Sequence, residues 1–189
     1  IGNALEVREA IGTLTGCGPA DFTEHCLVVA AEMLLLSGQY HTAEQARAAL
    51  LESIDSGRAI GKFRQWVWSQ GGDDRVVDDP QRLPEAKYLR VVVSPTDGYI
   101  ARIDALTMGL AAMLLGAGRE KKGDAIDPAV GIVLDKKVGE RVEAGDALLT
   151  LHGNDEQRMD EAEQRVLSAL EWSSTPVEPE PVIQRIIRQ

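Results

Sequence analysis

The stretch Val138-Gly139-Glu140-Arg141-Val142-Glu143-Ala144-Gly145-Asp146-Ala147-Leu148 decides how the second half of this chain is read. Its apolar residues are spaced by polar turn formers. Gly139 and Gly145 bracket a turn that brings Val142 and Leu148 into a small core, because glycine accepts the positive φ that tight turns need. Upstream, Tyr88–Ser94 is a β-branched run, Thr96-Asp97-Gly98 marks a tight turn, and Tyr99–Asp104 alternates apolar with polar. Ala129–Leu134 and Ala147–His152 read as two more strands. Among them, Met108–Leu115 is a short helix of small and apolar residues that ends at Gly116-Ala117-Gly118. Residues 88–154 are therefore expected to form a β-rich lobe with one inserted helix.

Upstream of that lobe the period is helical. Ala4, Val7, Ile11 and Leu14 form one stripe, closed by Gly16 and Gly18-Pro19. Asp21 with Glu24 has the spacing of a capping box. The following Phe22–Leu36 is so apolar that most of its faces are expected to be buried. Thr42 with Gln45 repeats the cap, ahead of a helix that stops at Gly57, and a fourth helix runs from Ala59 to about Gln70. Residues 1–70 thus read as helical and residues 71–87 as a turn-rich connector. Residues 155–189 read as a polar-faced helix (Asp155–Leu170) and an extended Pro176–Pro181 spacer, with an edge strand expected over Val182–Ile187. The fold class is α+β.

The charge balance narrows the partners. Thirty acids against 20 bases give a net charge of −10, which opposes a phosphate-binding surface over most of the molecule, so no nucleic-acid partner is expected. No apolar run approaches the roughly 20 residues of a bilayer span, so no membrane association is expected. Only two cysteines are present, Cys17 and Cys26, which is no disulfide framework, and a reducing, cytoplasmic location is the default. Helix-forming sequence begins directly behind Ile1, with no initiator Met and no signal sequence, as in a chain cut from something larger.

Few residues invite chemistry. Asp73, Asp74, Asp78 and Asp79 lack the alternating ligands, central Gly and terminal Glu of a calcium loop, and a solvated connector is the favoured reading. Gly116-Ala117-Gly118-Arg119-Glu120-Lys121-Lys122-Gly123 gathers glycines and bases. A phosphate cradle, however, opens a helix, whereas these glycines close one. A helix stop with a basic surface loop is favoured over a mobile loop lending Arg119 to a neighbouring cleft. His25, His41 and His152 lack metal-ligand spacing, and the adjacent His25 and Cys26 point to different faces of a helix.

The strand–turn–strand blocks Ser94–Ile100 and Val138–Leu148 resemble the flattened barrel-sandwich fold of biotinyl and lipoyl carrier domains. The exposed lysine such a carrier needs at a hairpin tip is missing, since Leu148 leads into Leu149-Thr150-Leu151-His152-Gly153-Asn154. A non-enzymatic carrier or interaction module on that fold is the alternative reading. A wider resemblance runs from the first residue to about Asn154. Gly2-Asn3-Ala4-Leu5-Glu6-Val7-Arg8-Glu9-Ala10-Ile11, Gln70-Gly71-Gly72-Asp73, Asp97-Gly98-Tyr99, Leu115-Gly116-Ala117-Gly118-Arg119, Ile126-Asp127-Pro128-Ala129-Val130-Gly131-Ile132 and Val142-Glu143-Ala144-Gly145-Asp146 stand in the order found in the C-terminal part of pyrimidine-nucleoside phosphorylases, the family that includes thymidine phosphorylase. Lys121-Lys122 and the Gln-Gly-Gly-Asp block are similar to the broad-specificity bacterial branch.

That resemblance implies a pentosyltransferase: phosphate reversibly displaces uracil or thymine from a nucleoside, giving the pentose 1-phosphate. It implies that residues 1–70 are helices of a large α/β domain and that the enzyme is a cytoplasmic homodimer using pyrimidine nucleosides and phosphate. The family's Lys-His-Ser-Thr-Gly-Gly phosphate loop and its pyrimidine-holding Arg, Ser and Lys lie upstream of the Gly-Asn-Ala block, and none is in this sequence. No catalytic or substrate-binding residue is assigned here, and the chain alone is expected to be inactive. Glu9 alone carries over, matching the family's carboxylate ligand for a structural potassium ion. A related phosphorylase of the AMP-using branch is a further alternative.

Overall fold

A computed structural model describes residues 1–187. Six helices and six strands follow in the order α1 (Asn3–Leu14), α2 (Ala20–Leu36), α3 (Ala43–Asp55), α4 (Arg58–Ser69), β1 (Tyr88–Val93), β2 (Gly98–Ile103), α5 (Ala105–Leu115), β3 (Gly131–Leu134), β4 (Arg141–Val142), β5 (Ala147–Gly153), α6 (Glu156–Ser168) and β6 (Leu170–Ser173). The α+β class holds. Two compact units divide the chain: Ile1–Glu6 with Leu83–Glu180, and Val7–Arg82 with the tail from Pro181.

The β-rich unit has two antiparallel three-stranded sheets, in the orders β1-β5-β3 and β4-β2-β6. Thr96-Asp97-Gly98 does turn the chain, but β1 and β2 are not paired with each other. Tyr88 faces Gly153 on β5, while Tyr99 faces Arg141 on β4 and Ser173 on β6. Among the described residues no sheet closes on itself. One core joins both sheets and two helices. Val92, Ile132, Leu149 and Leu151 come from the first sheet and Ile100 and Val142 from the second, with Met108, Ala111 and Ala112 from α5 and Met159, Ala162 and Val166 from α6. Val142 and Leu148 each keep 1% of their surface in water, as their spacing predicts. Arg90 on β1 pairs with Asp160 and Glu163 of α6 at 2.6 and 3.1 Å, an exposed network worth at most about 1 kcal/mol beside that core.

Two glycines are indispensable here. Gly116 ends α5 in the left-handed region (φ 112°), its amide bonded to Ala112 and Met113 carbonyls. Gly131 permits the first residues to lie along β3: Ile1 and Ile132 exchange two backbone hydrogen bonds of 2.7 and 2.8 Å, and a Cβ on Gly131 would strike the Ile1 carbonyl.

The helical unit departs from expectation at α2. Its N-cap is Pro19 rather than Asp21, with no side-chain cap; the Pro19 carbonyl accepts from Thr23 N at 2.8 Å. Proline's fixed φ starts the helix early, which leaves Asp21 in the first turn, where its charge still favours the positive helix end. Nor are most faces of α2 buried. Only Leu27 and Ala31 are, while Met33 and Leu36 are 64% and 88% exposed. Thr42 caps α3 as its sequence predicts, accepting from Gln45 N at 3.2 Å. The connector is more ordered than a run of turns: Asp74–Val77 and Pro80–Arg82 are 3-10 turns, and Val76 and Val77 are buried. Over Val182–Ile187 the backbone forms no strand, and residues 188–189 lie outside the described residues.

Candidate functional site

Each residue singled out in the sequence has a definite place. Glu9 is an exposed residue of α1 whose backbone carbonyl accepts from Thr13 Oγ1 at 2.8 Å. Its carboxylate lies close enough to Cys26 to act on the thiol: burial pushes the Cys26 pKa up, and the Glu9 charge pushes it further. Among the described residues no three acids, histidines or cysteines gather where they would hold a metal. Toward a potassium ion Glu9 therefore offers its carboxylate with no cluster of further acids, histidines or cysteines beside it among the described residues.

The aspartates of the connector are occupied by arginines. Asp73 caps the first 3-10 turn through Arg75 N and receives the Arg75 guanidinium at 2.7 and 2.8 Å, with Arg82 at 3.3 Å. Asp78 pairs in fork fashion with Arg64 on α4. The Arg75 hydrogen bonds hold the Asp73 carboxyl far below the usual range, and Arg64 lowers that of Asp78. Two of the four carboxylates thus tie the connector to itself and to α4. A hard cation would have to displace bidentate guanidinium groups from them.

The glycine-rich basic loop borders a cleft of 350 Å³ within the β-rich unit, lined by Asn3, Glu6, Met113, Gly118 and Arg119 among others. Asn3 Nδ2 donates to the Ala117 carbonyl at 3.0 Å, and Gly2 N donates to Glu6 Oε1 at 3.2 Å. Gly116 closes α5, so no helix N-terminus faces the cleft from this loop, and the helix-stop reading holds. The cleft offers one guanidinium, Arg119, against one carboxylate, Glu6. That combination suits a polar ligand with both donor and acceptor edges better than a bare anion.

The far end of the same loop is fastened by side chains to which residue spacing assigns no role. Asp127 N donates to the Gly116 carbonyl at 2.9 Å; Asp127 Oδ1 accepts from Ala129 N at 3.0 Å, and Oδ2 accepts from Asn154 Nδ2 at 2.6 Å. Asn154 Oδ1 also accepts from Lys87 N at 2.7 Å. The signal was available in Asp127-Pro128, since an aspartate before proline favours a turn in which the side chain caps nearby amides. These two residues set where residues 116–127 begin and end.

For chemistry, the described groups supply little that is activated. Cys17 and Cys26 are both free thiols, and a raised pKa leaves Cys26 protonated near neutrality. His25 is half-buried on α2, with its Nδ1 enclosed and lacking a hydrogen-bond partner. No helix among the described residues is long and apolar enough to cross a membrane.

Comparison with known proteins places this geometry. Residues 99–173, from β2 through β6, match the family model described as the pyrimidine nucleoside phosphorylase C-terminal domain. Over all 189 residues the chain is 45% identical to a pyrimidine-nucleoside phosphorylase of Staphylococcus aureus strain bovine RF122 / ET3-1. It is 44% identical over the same span to that of strain USA300. The match to strain MSSA476 is 45% over 187 residues. In each case the chain spans 43% of the length of the relative it matches.

Proposed function

We propose that this chain, whose residues 99–173 match the pyrimidine nucleoside phosphorylase C-terminal domain, is the C-terminal part of such an enzyme. The full protein would catalyse reversible phosphorolysis. Phosphate oxygen attacks the anomeric carbon of a uridine- or thymidine-type nucleoside, the N-glycosidic bond breaks, and the base departs with its bonding electrons to leave the pentose 1-phosphate. The observation that carries this reading is the identity of 45% along the whole chain, helical unit included. Similarity confined to the β-rich unit would fit a domain shared among unrelated proteins equally well.

In this reading the chain is scaffold. Its β-rich unit, read as a flattened barrel-sandwich, holds the Gly116–Asp127 loop at the edge of the catalytic cleft. Its helices belong to the large α/β domain. Glu9 contributes one carboxylate to a potassium site completed by polypeptide outside this chain, and the working enzyme is a cytoplasmic homodimer. Catalysis demands electrostatic stabilisation of phosphate and of the departing base, and residues for both tasks are assigned to the remainder of the enzyme. The carrier-module alternative has no observation in its favour, because the stretch that follows Leu148, Leu149-Thr150-Leu151-His152-Gly153-Asn154, offers no lysine for attachment.

The test is an assay of the full-length protein that carries this chain. Uridine or thymidine with phosphate should yield free base and pentose 1-phosphate, and omission of phosphate should abolish release. Adenine release from AMP, with uridine and thymidine untouched, would assign the protein to the AMP-using branch instead.

A further inference from the structure

We propose that a cavity among the four helices of the helical unit is a binding site for a small uncharged molecule, an aromatic or branched aliphatic body carrying one polar group. Exposed apolar surface alone does not single it out, since Leu89, Val91 and Val93 on β1 are 66%, 53% and 47% exposed. Its walls do. The cavity measures 320 Å³ and is lined by Leu14 of α1, Leu27 of α2, Leu50 and Ile54 of α3 and Ala59 of α4 among others. All of these residues belong to one compact unit of this chain.

Close-packed interiors hold few voids larger than a water molecule, and this volume lies in the range of small-molecule pockets between helices. The lining says what fills it. None of the lining residues is charged, and most are aliphatic. Of the three lining hydroxyls, two are already committed: Thr13 Oγ1 donates to the Glu9 carbonyl at 2.8 Å, and Ser53 Oγ donates to the Leu50 carbonyl at 2.7 Å. Water therefore finds few partners there, and cavities of this kind stay dry and take up apolar molecules.

Charge and polarity narrow the ligand further. An ion would enter with no counter-charge on the walls, at a large desolvation cost. The Glu9 carboxylate, close enough to act on the lining thiol of Cys26, repels anions in particular. The third hydroxyl, Thr23 Oγ1, has no hydrogen-bond partner among the described residues. It is the lining hydroxyl left for a ligand, and it meets either a single donor or a single acceptor. Phe22, in the first turn of α2, adds an aromatic wall beside it.

The test titrates indole, followed by calorimetry, into a full-length protein in which the Staphylococcus aureus relative supplies the residues ahead of the match. One indole should bind per chain and raise the melting midpoint in step with the logarithm of its concentration. Ala30→Phe, which fills the cavity from α2, should abolish binding. Thr23→Val should weaken indole about fivefold and leave indene, the same body without the N–H, unaffected. Indole-3-acetate should not bind. Equal affinity for indole with and without the Thr23 hydroxyl, more than one indole per chain, binding that survives Ala30→Phe, or indole-3-acetate bound as tightly as indole would overturn the proposal. So would binding by the isolated 189-residue chain that is lost in the full-length protein, since polypeptide from outside this chain would then fill the cavity. A full-length protein that binds indole in the expected way but releases no base from uridine would refute the functional reading and leave the site standing.

Discussion

A methyl group on Gly131 has nowhere to go: it would meet the Ile1 carbonyl and then the Gly2 Cα at 3.0 Å, both backbone. Gly131→Ala is expected to cost about 1–3 kcal/mol by forcing the first residues off β3, read as a lower melting midpoint with faster amide exchange at Ile132. Asp73 makes a pH prediction. Its folded pKa lies below its unfolded one, so its ion pairs with Arg75 and Arg82 contribute stability above the unfolded value near 4 and lose it as pH falls through the folded value. Asp78 acts in the same sense. Melting curves of Asp73→Asn from neutral to strongly acid pH should show a shallower acid decline than the unsubstituted chain. The carboxylate is solvent-screened, so the difference is small. Glu9 shows what a single sequence can and cannot convey at this scale. Its assignment as a potassium ligand rests on resemblance alone, because a lone helical carboxylate has no periodic or spacing signal.

At the scale of elements, local rules succeed where the stabilising contacts are local. The Thr42 cap is written in the three-residue spacing to Gln45, and Thr42→Ala should cost about 1 kcal/mol, with increased amide exchange confined to the first turn of α3. The ends of α5 were equally legible, since Asp104 caps it by accepting from Thr107 N at 2.9 Å and Gly116 stops it. Sheet pairing was not. A turn signal at Thr96-Asp97-Gly98 implies neighbouring strands, whereas β1 and β2 each find partners more than 30 residues away. The short β4 and the β6 strand after α6 carry too few alternating residues to stand out from their surroundings. At α2 the apolar composition signals burial that the described residues meet only at Leu27 and Ala31, because composition does not specify what packs against a helix.

At the scale of the whole molecule, the family blocks were legible from Gly2 to Asp146; within them Gly2, Gly98 and Gly131 meet backbone at close quarters, and Asn3 and Asp127 bond to backbone groups, where few other residues fit. The candidate site was not, because the cleft beside Arg119 forms from residues more than 100 positions apart. The central claim is that this chain supplies scaffold and that binding and chemistry need the rest of the enzyme. The most direct measurement is phosphate-dependent release of uracil from uridine, followed by chromatography. It is made on the purified 189-residue chain and on the full-length protein that joins it to the Staphylococcus aureus N-terminal part. The account predicts no release above background from the first and sustained release from the second. Turnover by the isolated chain, or a folded but inert joined protein, would contradict it.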